Sequence, residues 1–128
     1  MKELNKKLGE MTFDGLITGL TPAVQVSGGI IRKLDAETTL VRGTVLAKSK
    51  SDNKLVILGS EGEDLTPDCI LCDDIVVGTA EDEAVAVYTA GCFDPNKVTV
   101  KAEYTISEGD KDNLRMRGIV FKAAAPAI

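Results

Sequence analysis

The stretch "EAVAVYTAG" (residues 83–91) carries the strongest strand signal in the chain. Side chains on a strand alternate between faces, so Ala84, Ala86, Tyr88 and Ala90 share one side and Val85, Val87 and Thr89 the other. The following segment, "KVTVKAEYTI" (97–106), alternates as cleanly. It places Val98, Val100, Ala102 and Tyr104 on one side and Lys97, Thr99, Lys101, Glu103 and Thr105 on a wet face. That pattern predicts an antiparallel strand exposed on one side. Upstream, "TLVRGTVLA" (39–47) reads as another strand, in which Gly43 marks a bulge or a close backbone approach. "SKSDNK" (49–54) is a turn cluster, "LVILG" (55–59) a short buried strand, and "SEGEDLTPD" (60–68) an acidic loop ending at Pro67.

The remaining segments fit the same class. "FDGLITGLTPAVQVSGGII" (13–31) is cut by Gly15, Gly19, Pro22 and the Gly28-Gly29 pair, which argues for extended pieces and turns rather than helix. One helix is predicted over "EGDKDNLRMR" (108–117). Ser107 is its cap, Asp110 completes a capping box, and Gly118 is the stop. Acids lie early in it, and Arg115 and Arg117 late, as the helix dipole favours. "IVFKA" (119–123) follows as a last strand. The fold expected is mainly β: a small single-domain sandwich or barrel-like fold with one short helix near the C-terminus. Residues 1–14 are expected to form a flexible N-terminal arm and 15–128 the domain. The first ten residues are charged and gain too little burial to offset their ordering entropy.

Composition narrows the function. A chain of 128 residues buries roughly two-thirds of its unfolded surface, enough for an apolar core without metals or disulfides. Aromatics are few and Trp is absent, so Val, Ile, Leu and Ala must build that core. There is no histidine, which removes Ser-His-Asp, Cys-His and H-E-x-x-H machinery. Net charge is −5, and residues 51–95 hold Lys54 as their only basic side chain. That acidic third would repel a phosphate backbone, so no nucleic-acid partner is expected. No apolar run approaches the ~18 residues of a membrane span, and no signal-peptide pattern opens the chain.

"PDCILCDDIVVG" (67–78) raises the question of a thiol or metal site. A redox Cys-x-x-Cys pair begins at a helix N-terminus, whereas Ile70, Leu71 and the Val-rich sequel favour a strand. On a strand Cys69 and Cys72 point to opposite faces, so they share neither a disulfide nor a zinc ion. A closed zinc site needs four ligands, and Cys92 is the only other cysteine. The three thiols read as small buried hydrophobes. Asp73 and Asp74 diverge and cannot act as a carboxylate couple across a substrate. No catalytic, cofactor-binding or metal-binding residues are assigned, and neither cofactor nor small-molecule substrate is expected.

Taken in order, "LVRGTVL" (40–46), "ILCDDIVVG" (70–78), "EAVAVYTAGCFDPNKV" (83–98) and "LRMRGIVF" (114–121) resemble the tailed-phage head decoration protein family, the lambda-like decoration proteins. The resemblance runs from about residue 15 to 122. It implies a mainly-β structural protein that is not an enzyme, made in the host cytoplasm and carried on the outer surface of the virion capsid. Its implied partners are copies of itself in a homotrimer and the major capsid protein of a tailed phage, whose expanded shell it clamps against internal DNA pressure. It also implies that the N-terminal arm adds to a capsid strand. In "MTFDGLI" (11–17), Met11, Phe13, Leu16 and Ile17 are the candidate anchors, with the alternative that Phe13, Leu16 and Ile17 begin the domain core. Two other functions compete. One is a phage or surface β-module that binds a different protein, and the other a small thiol or metal domain using Cys69, Cys72 and Cys92.

Overall fold

The computed structural model describes residues 15–19, 21–60 and 65–123. Nine strands and one helix are assigned among them. The strands are β1 (Ile17–Gly19), β2 (Gln25–Ile31), β3 (Thr38–Leu40), β4 (Val45–Ser49), β5 (Leu55–Ile57), β6 (Leu65–Leu71), β7 (Ile75–Val77), β8 (Glu83–Phe93) and β9 (Ile119–Phe121); the helix is α1 (Glu108–Arg117). Strands run in the order β8-β2-β5-β4-β6, and β6 returns to pair with β8, closing a five-stranded barrel. The far end of β8 carries β1 on one edge and β9 on the other, while β3 and β7 form a separate ribbon. The mainly-β expectation holds, and the arrangement is a barrel.

Alternation along the barrel strands sorts the core into two layers. Ile31, Leu46, Leu55, Cys69, Leu71 and Val87 come from all five barrel strands and pack together inside, joined by Leu40 and Val77 of the ribbon. The opposite faces supply Val45, Ala47, Val56, Ile70 and Tyr88 to an outer layer, which Leu16, Phe93, Leu114 and Ile119 complete. Asp94 is the one buried acid among the described residues, and the large fully buried side chains are almost wholly aliphatic plus Tyr88 and Phe93.

The helix forms where its local signals place it. Ser107 accepts from the Asp110 backbone N–H at 3.0 Å, and the Asp110 carboxylate accepts from the Ser107 N–H at 3.1 Å. Gly118 ends the helix at φ 104°, a left-handed conformation that costs glycine no Cβ clash. Leu114 is the fully buried anchor of α1.

Three segments differ from the sequence expectation. Residues 39–47 are not one strand: a turn at Arg42 and Gly43 sends β3 to the ribbon and β4 to the barrel. Gly43 has φ +94°, and a Cβ there would lie 3.0 Å from the Lys97 carbonyl oxygen, so the close approach is real although the bulge is a turn. The acidic loop stops before Leu65, because Leu65–Leu71 is strand β6 with Pro67 inside it. Pro67 sits opposite Ala47 next to a register shift, an irregular site where its missing N–H breaks no regular ladder. The third difference is 97–106, which is no regular strand: only Thr99 bridges, to Thr44. Val45 N–H donates to the Thr99 carbonyl and Lys101 N–H to the Leu58 carbonyl, so the segment crosses the ends of two elements instead of following one. Its alternation reports burial all the same, because Val98, Val100 and Tyr104 pack on the outer core layer.

Candidate interaction surface

Four of the middle acids hold loops or the helix in place. Asp52 receives Arg32 at 2.9 Å, and Asp82 receives Lys54 at 2.6 Å and the Lys33 backbone N–H at 2.8 Å. Hydrogen bonding to Arg32 holds the Asp52 carboxyl below its ordinary range, and bonding to Lys54 does the same for Asp82. Asp68 pairs with Arg117 of α1 at 2.9 Å, and Asp74 accepts the Arg42 backbone N–H at 2.7 Å. Adjacent Asp73 is exposed. These contacts fasten the turn 49–54, the loop before β8 and the helix to the barrel, which gives these four acids a structural role.

The cysteines are likewise part of the framework. Cys69 lies in the barrel interior and Cys72 in the outer layer, as opposite strand faces require. Burial pushes the Cys69 thiol far up, with Asp68 adding to it. Burial and then the Asp73 charge raise Cys72 to about 11. A thiol protonated at neutral pH is a poor nucleophile and a poor metal ligand. Cys92 is buried against Thr18, with Oγ1 to Sγ at 3.5 Å. Replacing all three by Ala or Val is expected to cost about 1 kcal/mol each through volume change. The measurement is the urea midpoint of the triple variant, and a folded variant with lost partner binding would restore a thiol function.

Of the four residues proposed to anchor an arm, Met11 and Phe13 lie outside the described residues. Leu16 is 2% exposed and belongs to the outer core layer. Its carbonyl accepts the Asp94 N–H at 2.8 Å. Ile17 pairs with Phe93 in β1 and is half-buried against the same layer. Leu16 and Ile17 thus pack with the domain in this structure, in line with the alternative that they begin its core.

What stands out on the surface is the outer face of β2 and the first half of β8. Their register places Val26 opposite Tyr88, Gly28 opposite Ala86 and Ile30 opposite Ala84. At the first of these pairs Tyr88 is covered. Arg42 lies over its ring, 5.3 Å from the centroid, donates to its hydroxyl, and donates to the Cys72 carbonyl at 3.1 Å. Beyond Tyr88 the face is exposed among the described residues. Val26 is 58% and Ile30 43% exposed, Ala84 and Ala86 are exposed, and a Cβ built on Gly28 would meet nothing within 4 Å. Along its other edge β2 pairs with β5 only at Ile31 opposite Leu55. Gln25–Ile30 thus keep an open edge among the described residues, beside a cleft of about 310 Å³ that includes Ser27, Lys48 and Asp68 in its lining. The sequence signal was present but ambiguous: residues 15–31 and 84–93 carry no charged side chain, which reads equally well as buried core.

Fold and surface together describe a small β-barrel protein with an exposed apolar sheet face among its described residues. The family model for the bacteriophage lambda head decoration protein D matches residues 24–119, from the loop before β2 to the start of β9, and the chain belongs to that family. No curated protein matches it. Membership in a structural family of phage heads supports a capsid decoration role and a place on the virion capsid.

Proposed function

We propose that this protein binds the outer surface of an expanded tailed-phage head as a homotrimer and stabilises the shell against the pressure of packaged DNA. The observation that carries the reading is the family match over residues 24–119, which spans the whole barrel. The surface chemistry supports it: several acids hold loops in place, two buried thiols are held protonated, and Val26 and Ile30 expose an apolar sheet face suited to protein contact. The partners are the major capsid protein and two further copies of the chain, with neither nucleic acid nor a membrane required. The protein resides in the host cytoplasm until a shell is ready. Residues 1–14, with Met11 and Phe13, serve as an arm that adds to a strand of the shell, its backbone supplying hydrogen bonds and its apolar side chains the specificity.

The test is co-sedimentation of the purified protein with expanded heads that lack decoration. Saturable binding to expanded heads is the expected result. Failure of correctly folded protein to bind any expanded head at micromolar concentration would refute the reading.

A further inference from the structure

We infer that the groove between segment 95–106 and β9 is the docking site of the residues that follow β9, Ala124–Ile128, which clasp that segment to the barrel. The inference is independent of the decoration role and concerns how the chain covers its own outer layer. The groove has a volume of about 360 Å³. Val98, Val100, Tyr104, Ile106 and Phe121 line it, each only partly buried although it packs on the outer core layer. Such a row of half-covered apolar groups is stabilised by a further apolar cover.

The direction of the chain brings that cover to the groove. Strand β9 runs parallel to β8, with Cys92 opposite Val120 and Phe93 opposite Phe121. The chain leaving Phe121 therefore travels the same way as the chain leaving Phe93, which goes on to Pro95 and Asn96 in the groove wall. Past the bond from Lys122 N–H to the Phe93 carbonyl the β8 chain turns aside. The Asp94 carboxylate accepts the Asn96 N–H at 2.8 Å and its carbonyl the Lys97 N–H at 3.0 Å. Phe121 already lines the groove, and a segment the length of 124–128 spans about 17 Å when extended.

The composition of the segment suits the site. "AAPAI" (124–128) carries no charge in a chain that is 27% charged. Pro126 has no N–H to prolong a ladder, but its fixed φ favours an extended chain laid against side chains. Ile128 supplies the large apolar group. The tether adds to this, because a linked segment meets its groove at an effective concentration on the order of mM. A contact too weak to recruit a separate peptide is thus populated here. The clasped segment is otherwise tied to its surroundings by the Thr99 bridge to Thr44, the Lys101 bond to Leu58 and the Tyr104 bond to Asp110.

NMR on the methyl-labelled full chain and its I128S variant tests this. Nuclear Overhauser contacts are expected from the Ile128 methyls to Val98, Val100 or Phe121 within one molecule. A mixture of labelled and unlabelled chains separates these from contacts between molecules. In I128S the Thr99 and Lys101 amides, bonded to the Gly43 and Leu58 carbonyls, are expected to exchange about fivefold faster while the circular dichroism spectrum is unchanged. An Ile128 without contact to the groove overturns the inference. So does contact found only between molecules, which would assign the groove to a neighbouring copy. Unchanged amide exchange in I128S overturns it as well. None of these outcomes bears on head binding, which co-sedimentation judges separately.

Discussion

Deletion of residues 1–17 is expected to unfold the domain, whereas deletion of 1–14 leaves it folded. The difference is three residues, and Leu16 dominates it. Removing a buried leucine side chain costs about 2–5 kcal/mol, and Leu16 is buried with Val45 and Phe93 in the outer layer. The longer deletion also removes Ile17 from β1 and the carbonyl that accepts from Asp94. Set against a total stability of about 5–15 kcal/mol, that loss takes most or all of the margin. Urea denaturation followed by circular dichroism measures it, and equal midpoints for the two deletions would show that Leu16 is dispensable. The shorter deletion lacks Met11 and Phe13 and should bind expanded heads at least tenfold more weakly, which is ~1.4 kcal/mol. Unchanged binding would remove the arm from the account.

Phe93→Ala is expected to be the most damaging single substitution in the barrel, at about 3–5 kcal/mol. Phe93 is fully buried where three strands converge: it pairs with Ile17 of β1 and Phe121 of β9, and its carbonyl accepts the Lys122 N–H at 2.8 Å. Its ring centre lies 5.4 Å from that of Tyr88, within the range of favourable aromatic pairs. Truncation therefore leaves a cavity at the junction of barrel, β1 and β9 and strips Tyr88 of its neighbour. Met116→Ala, made on an exposed side chain, should change stability by less than about 0.5 kcal/mol. The comparison of the two denaturation midpoints decides the matter, and a Phe93→Ala loss below 1 kcal/mol would mean that the junction repacks freely.

The features legible in the sequence were the local ones. Helix α1 was readable to the residue because its cap, capping box and stop glycine lie within one short segment and act on their own backbone. The faces of β8 and the separation of Cys69 from Cys72 followed from strand alternation, which needs no knowledge of the partner strand. Segment 97–106 misled for the complementary reason. Alternation reports which side chains are buried, and Val98, Val100 and Tyr104 are, but whether a ladder forms depends on partners at Thr44 and Leu58 far along the chain. Leu16 was undecidable for the same reason, since what holds it is Asp94 and the layer around Phe93. The exposed face of β2 is not legible in the sequence, because an uncharged run such as "AVQVSGGII" (23–31) is normally core. Only the topology, with one edge of β2 almost unpaired, turns it into a surface.

The central claim is that this chain decorates and strengthens a phage head, and it is tested most directly by mechanical failure of the shell. Expanded heads carrying packaged DNA are heated with and without saturating protein, and DNA release is followed by dye fluorescence. The account predicts that bound protein, present in multiples of three copies at saturation, raises the temperature of release, and that the 1–14 deletion does so only at higher concentration. Binding at saturation with no change in the release temperature would contradict it.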